Sequence, residues 1–267
     1  MPHIKLAFQN MYQGMHFAGK NENGVDIFYK YNPSAYIEYF KDHKLDFLCL
    51  AEAPLDTKDG QSLFLDALST TLDLPHYEAY VNEKSWVVEG KYYGTVILSR
   101  YAIDEYETFN LPNPKLEADQ PDGSHWVMHD KGAQKAKVTI DGHTVNIYNL
   151  HYFPFGHFGR RMEEEEFHPI RQELANIVKP QTDEVAIVCG DFNNRGLEIE
   201  VAFPELFDNN LLERTISFID FDESLARMAD KTQVDHVLIT SGISLVKGQP
   251  ECNYSDHCGI SVELEIK

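Results

Sequence analysis

Six apolar runs in this sequence each end, or begin, on a residue able to do acid–base or metal chemistry. Asn10 follows Ile4–Gln9, Glu52 follows Asp46–Ala51, and His151 follows Val145–Leu150. Asp191 and Asn193 follow Val185–Gly190, Asp235 lies at the start of Val234–Ile239, and Asp256 and His257 precede the final run, Gly259–Ile266. Strands that share a core bring their ends to a common rim, where such groups can converge. Carboxylates that converge must be neutralised, because like charges raise one another's pKa. A divalent cation solves that problem, and oxygen ligands such as Asn10, Glu52 and Asp256 suit Mg²⁺, with Mn²⁺ as the alternative, better than zinc.

Taken singly, each residue has a plainer explanation. A Glu at a strand end is usually a surface residue, an Asp-His pair is usually a turn, and Gly190-Asp191-Phe192-Asn193 could be a strand-terminating Asx turn. The weight lies in their joint occurrence in one order.

The elements that must position them are short. Strands are expected at Ile4–Phe8, Phe47–Ala51, Thr95–Ser99, Val145–Leu150, Val185–Cys189, Val234–Thr240 and Gly259–Ile266. Lys135–Ile140 and Thr144–Leu150 flank Asp141-Gly142, a hairpin signal. Helical patterns open at Pro33-Ser34, run from Ser62 to Leu72, and run from about Ile170 to Val178 before Pro180. Hairpins mixed with strand–helix–strand units imply mixed sheets. No repeat or linker divides the chain, so one domain over residues 1–267 is expected. Met11–Tyr31, Asn110–Lys131 and Tyr152–His168 read as long loops, a length that often signals function.

Composition narrows the partners. The 267 residues are 43% hydrophobic and 25% charged, an ordinary globular balance. With 23 Lys and Arg against 43 Asp and Glu, the net charge of -20 disfavours general binding to duplex DNA and would attract divalent cations. No apolar stretch approaches a membrane span and no signal-like segment opens the chain, so a cytoplasmic location is expected. Cys49 and Cys189 sit in apolar runs and read as buried thiols. For Cys252 and Cys258, a disulfide across a turn is the less favoured reading.

Gln9-Asn10, Leu50-Ala51-Glu52, Gly94–Arg100, Lys131-Gly132-Ala133, Asn149-Leu150-His151, Gly190-Asp191-Phe192-Asn193, Val234-Asp235-His236 and Ser255-Asp256-His257 occur in this order from Ile4 to Ile266. In this pattern the chain resembles the endonuclease/exonuclease/phosphatase (DNase I-like) superfamily. The resemblance implies a four-layer α/β sandwich, two mixed β-sheets packed face to face with helices outside. It implies that Glu52, assisted by Asn10 and Asp256, holds Mg²⁺ against a phosphate oxygen. It further implies that His257, oriented by Asp235, takes the proton of the attacking water, which Asp191 helps to align, while His151 and Asn193 bind non-bridging oxygens. His236 should alternate away from Asp235 and is read as structural. The carboxylate that supports the first histidine in DNase I-type nucleases has no evident counterpart near Tyr92-Tyr93-Gly94, so the partner of His151 stays open.

The implied activity is a Mg²⁺-dependent phosphoester hydrolase, with a phosphodiesterase preferred. The substrate would be a nucleotide, a nucleic-acid end or a lipid head group. A phosphomonoesterase, a sphingomyelinase-like phospholipid hydrolase, or a catalytically silent binding module of the same fold are the alternatives. A silent relative should have lost rim groups that this chain retains. His151 speaks against the abasic-site endonucleases, and Gln233-Val234-Asp235-His236 departs from the Trp-Cys-Asp-Arg-like segment of the 5-phosphatases. The ending Ser255–Ile260 is similar to tyrosyl-DNA phosphodiesterases over a short stretch. The aromatics of Tyr152–Phe158 are expected either to cover the substrate or to pack under their own loop. Arg160 and Arg161 read as a solvated pair, with a second phosphate as the alternative. Glu163–Glu166 reads as a solvated first helical turn.

Overall fold

The computed structural model describes residues 2–20, 26–120, 123–181, 183–208, 210–216 and 233–267. Two six-stranded mixed sheets form its centre. The first has the order β15-β16-β1-β4-β6-β5, from β1 (His3–Asn10), β4 (Phe47–Leu55), β5 (His76–Lys84), β6 (Tyr92–Ser99), β15 (Ile243–Cys252) and β16 (Cys258–Ile266). The second has the order β13-β14-β12-β11-β10-β7, from β7 (Ile103–Asn110), β10 (Gly132–Ile140), β11 (His143–His151), β12 (Ala186–Asp191), β13 (Leu212–Arg214) and β14 (Asp235–Thr240). Two hairpins stand apart, β2 (Met15–Lys20) with β3 (Asp26–Tyr31), and β8 (Glu117–Asp119) with β9 (His125–Val127). They occupy two segments expected as loops.

Side-chain alternation sorts the apolar residues into three layers of core. Ile4, Leu6, Phe8, Phe47 and Cys49 of the first sheet meet Val145, Ile147, Ile187, Cys189, Val237 and Ile239 of the second between the sheets. The intervening residues face outward. Ala7, Leu48 and Leu50 pack under α1 (Ser34–Phe40) and α2 (Leu63–Leu72). Tyr148, Leu150 and Val188 pack under α3 (His168–Val178), α4 (Ile199–Ala202) and α5 (Pro204–Phe207). Because both faces of each central strand are covered, these strands read as unbroken apolar runs. The result is the α/β sandwich expected from the sequence. Among the described residues no helix is long and apolar enough to cross a membrane.

Three local expectations are resolved or overturned. Tyr152, Phe153 and Phe155 are buried with Phe167 and Leu174, so the aromatic loop packs under itself rather than facing a ligand. Glu165 and Glu166 stand exposed in a 3-10 turn that leads into α3, the solvated helical turn expected, and the acidic run also pairs with the loop's arginines, Glu164 and Glu166 with Arg160 and Glu163 with Arg161. Cys252 and Cys258, directly opposite in the β15–β16 ladder, form a disulfide; the antiparallel register brings their Cα atoms to 4.3 Å, at the short end of what a bridge spans. Cys49 and Cys189 are free and buried.

Candidate active site

Strand register builds the first half of the site. His151 on β11 stands opposite Asp191 on β12, which in turn stands opposite Asp235 on β14. All three share the alternation of the residues that face between the sheets, so their side chains form one row at the sheet's end. Asn10 ends β1 with the same parity as Ile4, Leu6 and Phe8. Gly190 permits the close approach of β12 to β11, because a Cβ there would lie 2.5 Å from the Leu150 carbonyl oxygen.

Glu52 has the wrong parity. Phe47, Cys49 and Ala51 face between the sheets, so strict alternation would turn Glu52 toward the helices. The chain corrects this with a break in the ladder between Leu50 and Ala53 and a left-handed backbone at Glu52, φ 49°. Such a conformation is costly for a residue with a Cβ, and a bulge is a recurring way to re-aim a side chain at a site. Asn149 inserts at the break from the opposite sheet, donating Nδ2 to the carbonyls of Leu50 (2.9 Å) and Val96 (3.0 Å).

The assembled groups are close. Asn10 Nδ2 donates to Asp191 Oδ2 at 2.9 Å, and the backbone N–H of Asn193 donates to Asp191 Oδ1 at 2.9 Å. Asp191 Oδ2 also lies 3.4 Å from His151 Nε2 and 3.9 Å from His257 Nε2. His257 Nδ1 is 2.9 Å from Asp235 Oδ2. Ser255 Oγ donates to Asp256 Oδ1 at 3.1 Å and accepts from the His257 N–H at 3.2 Å, fixing the turn that presents both residues. Asn193 Nδ2 donates to the Tyr152 carbonyl at 2.9 Å, which ties the loop after His151 down beside the rim and leaves one amide N–H for other partners.

One group was missed by the sequence reading. Lys131, only 3% exposed, places Nζ 3.1 and 3.0 Å from the two ring nitrogens of His151 and 3.6 Å from Glu52 Oε1. The open question of His151's neighbours is thereby answered: the Lys131 ammonium, with Asp191 at 3.4 Å and Glu52 at 3.8 Å. Lys131 lies within the motif Lys131-Gly132-Ala133, but the default for a lysine is solvent, and only the fold shows it buried.

Burial sets the electrostatics. Desolvation raises Glu52 despite Lys131 and pushes Asp191 up to about 6; it also raises Asp235 against the pull of His257. Desolvation and the Lys131 charge hold His151 well below the usual histidine range. Burial acts downward on His257 too, but the carboxylates of Asp235, Asp256 and Asp191 outweigh it and hold the imidazole well above its ordinary value. His236 alternates away from the rim as expected. Its Nε2 meets Asn194 Oδ1 at 3.0 Å, and burial drops it to about 3.

The donor set fits a hard cation. Glu52 Oε2 is buried without a hydrogen-bond partner, as is Asp235 Oδ1, and a buried carboxylate oxygen left bare is costly unless something binds it. Asp256 is near enough to Glu52 to raise its pKa. Asp191, Asp235 and His257 also offer ligand atoms within 4.8 Å of one another, the single such group among the described residues. In that group, however, Asp235 Oδ2 and His257 Nδ1 are paired with each other, the form of a carboxylate-oriented imidazole.

A profile of the Endonuclease/Exonuclease/phosphatase family matches residues 10–257. The chain belongs to that family. The family's enzymes hydrolyse phosphoesters, typically with a divalent metal, and the chain is such an enzyme. No curated protein matches it in sequence. Solved structures share the family fold at low identity. The endonuclease/exonuclease/phosphatase from Beutenbergia cavernae is 14% identical with a TM-score of 0.69, covering 100% of this chain and 72% of that one. The human Nocturnin catalytic domain with bound sulfate is 16% identical, TM-score 0.59, covering 100% and 95%. The Bacteroides thetaiotaomicron mannosyl-6-phosphatase is 15% identical, TM-score 0.55, covering 98% and 100%.

Proposed function

We propose that this member of the family is a Mg²⁺-dependent phosphodiesterase whose water is activated by the Asp235–His257 pair. The observation that carries the reading is the 2.9 Å contact of His257 Nδ1 with Asp235 Oδ2, which leaves Nε2 facing Asp191 across 3.9 Å. A water between Nε2 and Asp191 would be aligned by the carboxylate and deprotonated by the imidazole. Lys131 and His151 would meet the non-bridging oxygens of the phosphate, supplying fixed positive charge and a hydrogen bond where negative charge grows. The spare amide N–H of Asn193 can join them.

Glu52 and Asp256 would hold the cation, with Asn10 contributing its Oδ1, which already accepts from the Tyr12 N–H at 3.0 Å. There a divalent ion would supply charge neutralisation to the carboxylates and to the leaving oxygen. By offsetting part of the carboxylate charge that keeps the ring protonated, the ion would also free His257 to act as a base. The net charge of -20 favours a small phosphoester or a nucleic-acid end over a long duplex.

The test is hydrolysis of bis-p-nitrophenyl phosphate against p-nitrophenyl phosphate, with Mg²⁺ and with EDTA. The diester should be cleaved faster, and only with metal. Glu52→Ala and His257→Ala should each lose turnover, by about 10²–10⁴-fold for the base. Faster monoester cleavage would make it a phosphatase, and metal-independent turnover would refute the mechanism.

A further inference from the structure

The chain has two tryptophans, Trp86 on a loop and Trp126 in β9, both half-exposed and each against a histidine. Trp86 is the informative one. Its ring is stacked on His129 with centroids 4.6 Å apart and planes at 29°, and it packs perpendicular to the Tyr93 ring at 4.8 Å and 85°. Tyr93 is fully buried, and its ring carries Lys131 Nζ at 5.4 Å from the centroid. Lys131 in turn touches His151 and faces Glu52. The indole is therefore two side chains away from the proposed phosphate position, and it remains 46% exposed although His129 and Tyr93 both pack against it.

The platform is held still. Ser85 Oγ accepts the N–H groups of Val87 (3.1 Å) and Val88 (2.8 Å) and donates to Gln13 Oε1 at 2.6 Å. Ser85 N–H donates to the Lys91 carbonyl at 2.9 Å. His129 is fixed from behind by Glu83, whose Oε2 lies 2.8 Å from Nδ1 and accepts the Asp130 N–H at 3.2 Å. An aromatic ring held in place and half open to solvent beside a polar site loses little freedom when a second ring packs on it.

We propose that Trp86, backed by His129 and Tyr93, is the subsite for a ring with an apolar face, carried by the substrate next to its scissile phosphate. The ring is a nucleobase or a pyranose in a small ester; both present an apolar face to an indole. The proposal rests on the reading of the rim as a phosphoester site and adds what the phosphate is attached to. It also assigns the job that the buried Tyr152–Phe155 aromatics do not perform. Trp86 acts on affinity and selectivity rather than on the bond-breaking step.

The test is calorimetric binding, with Mg²⁺ present, of adenosine 5′-monophosphate, glucose 6-phosphate, glycerol 3-phosphate and inorganic phosphate. Fluorescence quenching of Trp86 in a Trp126→Phe background supplies a second readout. At least one ring-bearing ester should bind about tenfold tighter than glycerol 3-phosphate, the range of one stacked ring. Which one does so separates base from sugar. Trp86→Ala should bring that ester down to the glycerol 3-phosphate value, and Trp86→Phe should keep most of the gain. Equal binding of all three esters, or a preference that survives Trp86→Ala, overturns the platform while leaving the phosphate site intact. Failure of every phosphate to bind, inorganic phosphate included, overturns the rim reading and the platform with it.

Discussion

Asn149→Leu isolates the contribution of one side chain to the geometry of Glu52. Asn149 is fully buried between the sheets, and its two N–H groups serve the carbonyls of Leu50 and Val96 where the β4–β6 ladder breaks. Leucine has nearly the same shape and no donor. Both carbonyls would lose this partner, at about 1–3 kcal/mol each, while removal of the unpartnered Asn149 Oδ1 returns about one such increment. The net loss is about 2 kcal/mol, or roughly 4–8 °C in Tm for a chain of this size. Asn149→Asp should cost more, because it removes the donors and adds a buried charge facing two carbonyl oxygens. Thermal unfolding followed by circular dichroism reads both. If the bulge depends on Asn149, the Mg²⁺ concentration for half-maximal turnover should also rise in Asn149→Leu, since Glu52 loses the support that keeps it turned inward. A leucine variant as stable as the parent, with unchanged Mg²⁺ dependence, would refute the argument.

Two further outcomes follow from particular contacts. His236 is held neutral by burial with a pKa of about 3, against roughly 6.5 in the unfolded chain. A depressed folded value means that its contribution is complete above pH 6.5 and is lost as the pH falls toward 3. By pH 5 the loss is roughly 2 kcal/mol, so urea midpoints at pH 7.5 and pH 5 should differ less in His236→Gln than in the parent, and equal differences would contradict a neutral buried ring. The Cys252–Cys258 bridge closes a short loop that contains Asp256 and His257. The double Cys→Ser variant should lose about 2 kcal/mol by loop-closure entropy together with part of its activity, and dithiothreitol should reproduce both losses in the parent but not in the variant; insensitivity of parent activity to the reductant would free the loop from the bridge.

What could be read from the sequence follows from which residues are buried on both faces. β1, β4, β11, β12 and β14 lie inside their sheets and appear as apolar runs, so the polar residues at their ends could be picked out. Within the two six-stranded sheets, the four strands that the sequence does not reveal, β5, β7, β13 and β15, are the four edges. β7 carries Asp104, Glu105 and Glu107, and β5 is only partly buried along its length; charge and exposure protect an edge from further pairing and erase the pattern that would reveal it. The site divides in the same manner. Asn10, His151, Asp191 and Asp235 follow from alternation, whereas the inward turn of Glu52 depends on a bulge and a positive φ that no periodicity announces. The cysteine pair was misjudged for a related reason: Cys252 and Cys258 become partners only through the β15–β16 register. The bridge also bears on the expected cytoplasmic location, because disulfides are uncommon in a reducing compartment.

The same rim shows why metal binding and folding are one problem here. Glu52, Asp191, Asp235 and Asp256 bring four carboxylates together, and the two cations among them are Lys131 and the protonated His257. Four against two leaves two negative charges in a region where Glu52, Asp191 and Asp235 are buried. Only two remedies exist: protons or a cation. The raised pKa values of Glu52, Asp191 and Asp235 are the first remedy, already partly in force. In the proposed mechanism a single divalent ion would be the second: added to Lys131 and the protonated His257, it would balance the four carboxylates and leave Asp191 and Asp235 ionised. The two remedies compete for Glu52, so acid should weaken metal binding before it unfolds the sheets, and the strain stored in Glu52's backbone is best understood as the cost of making that competition favour the ion near neutral pH.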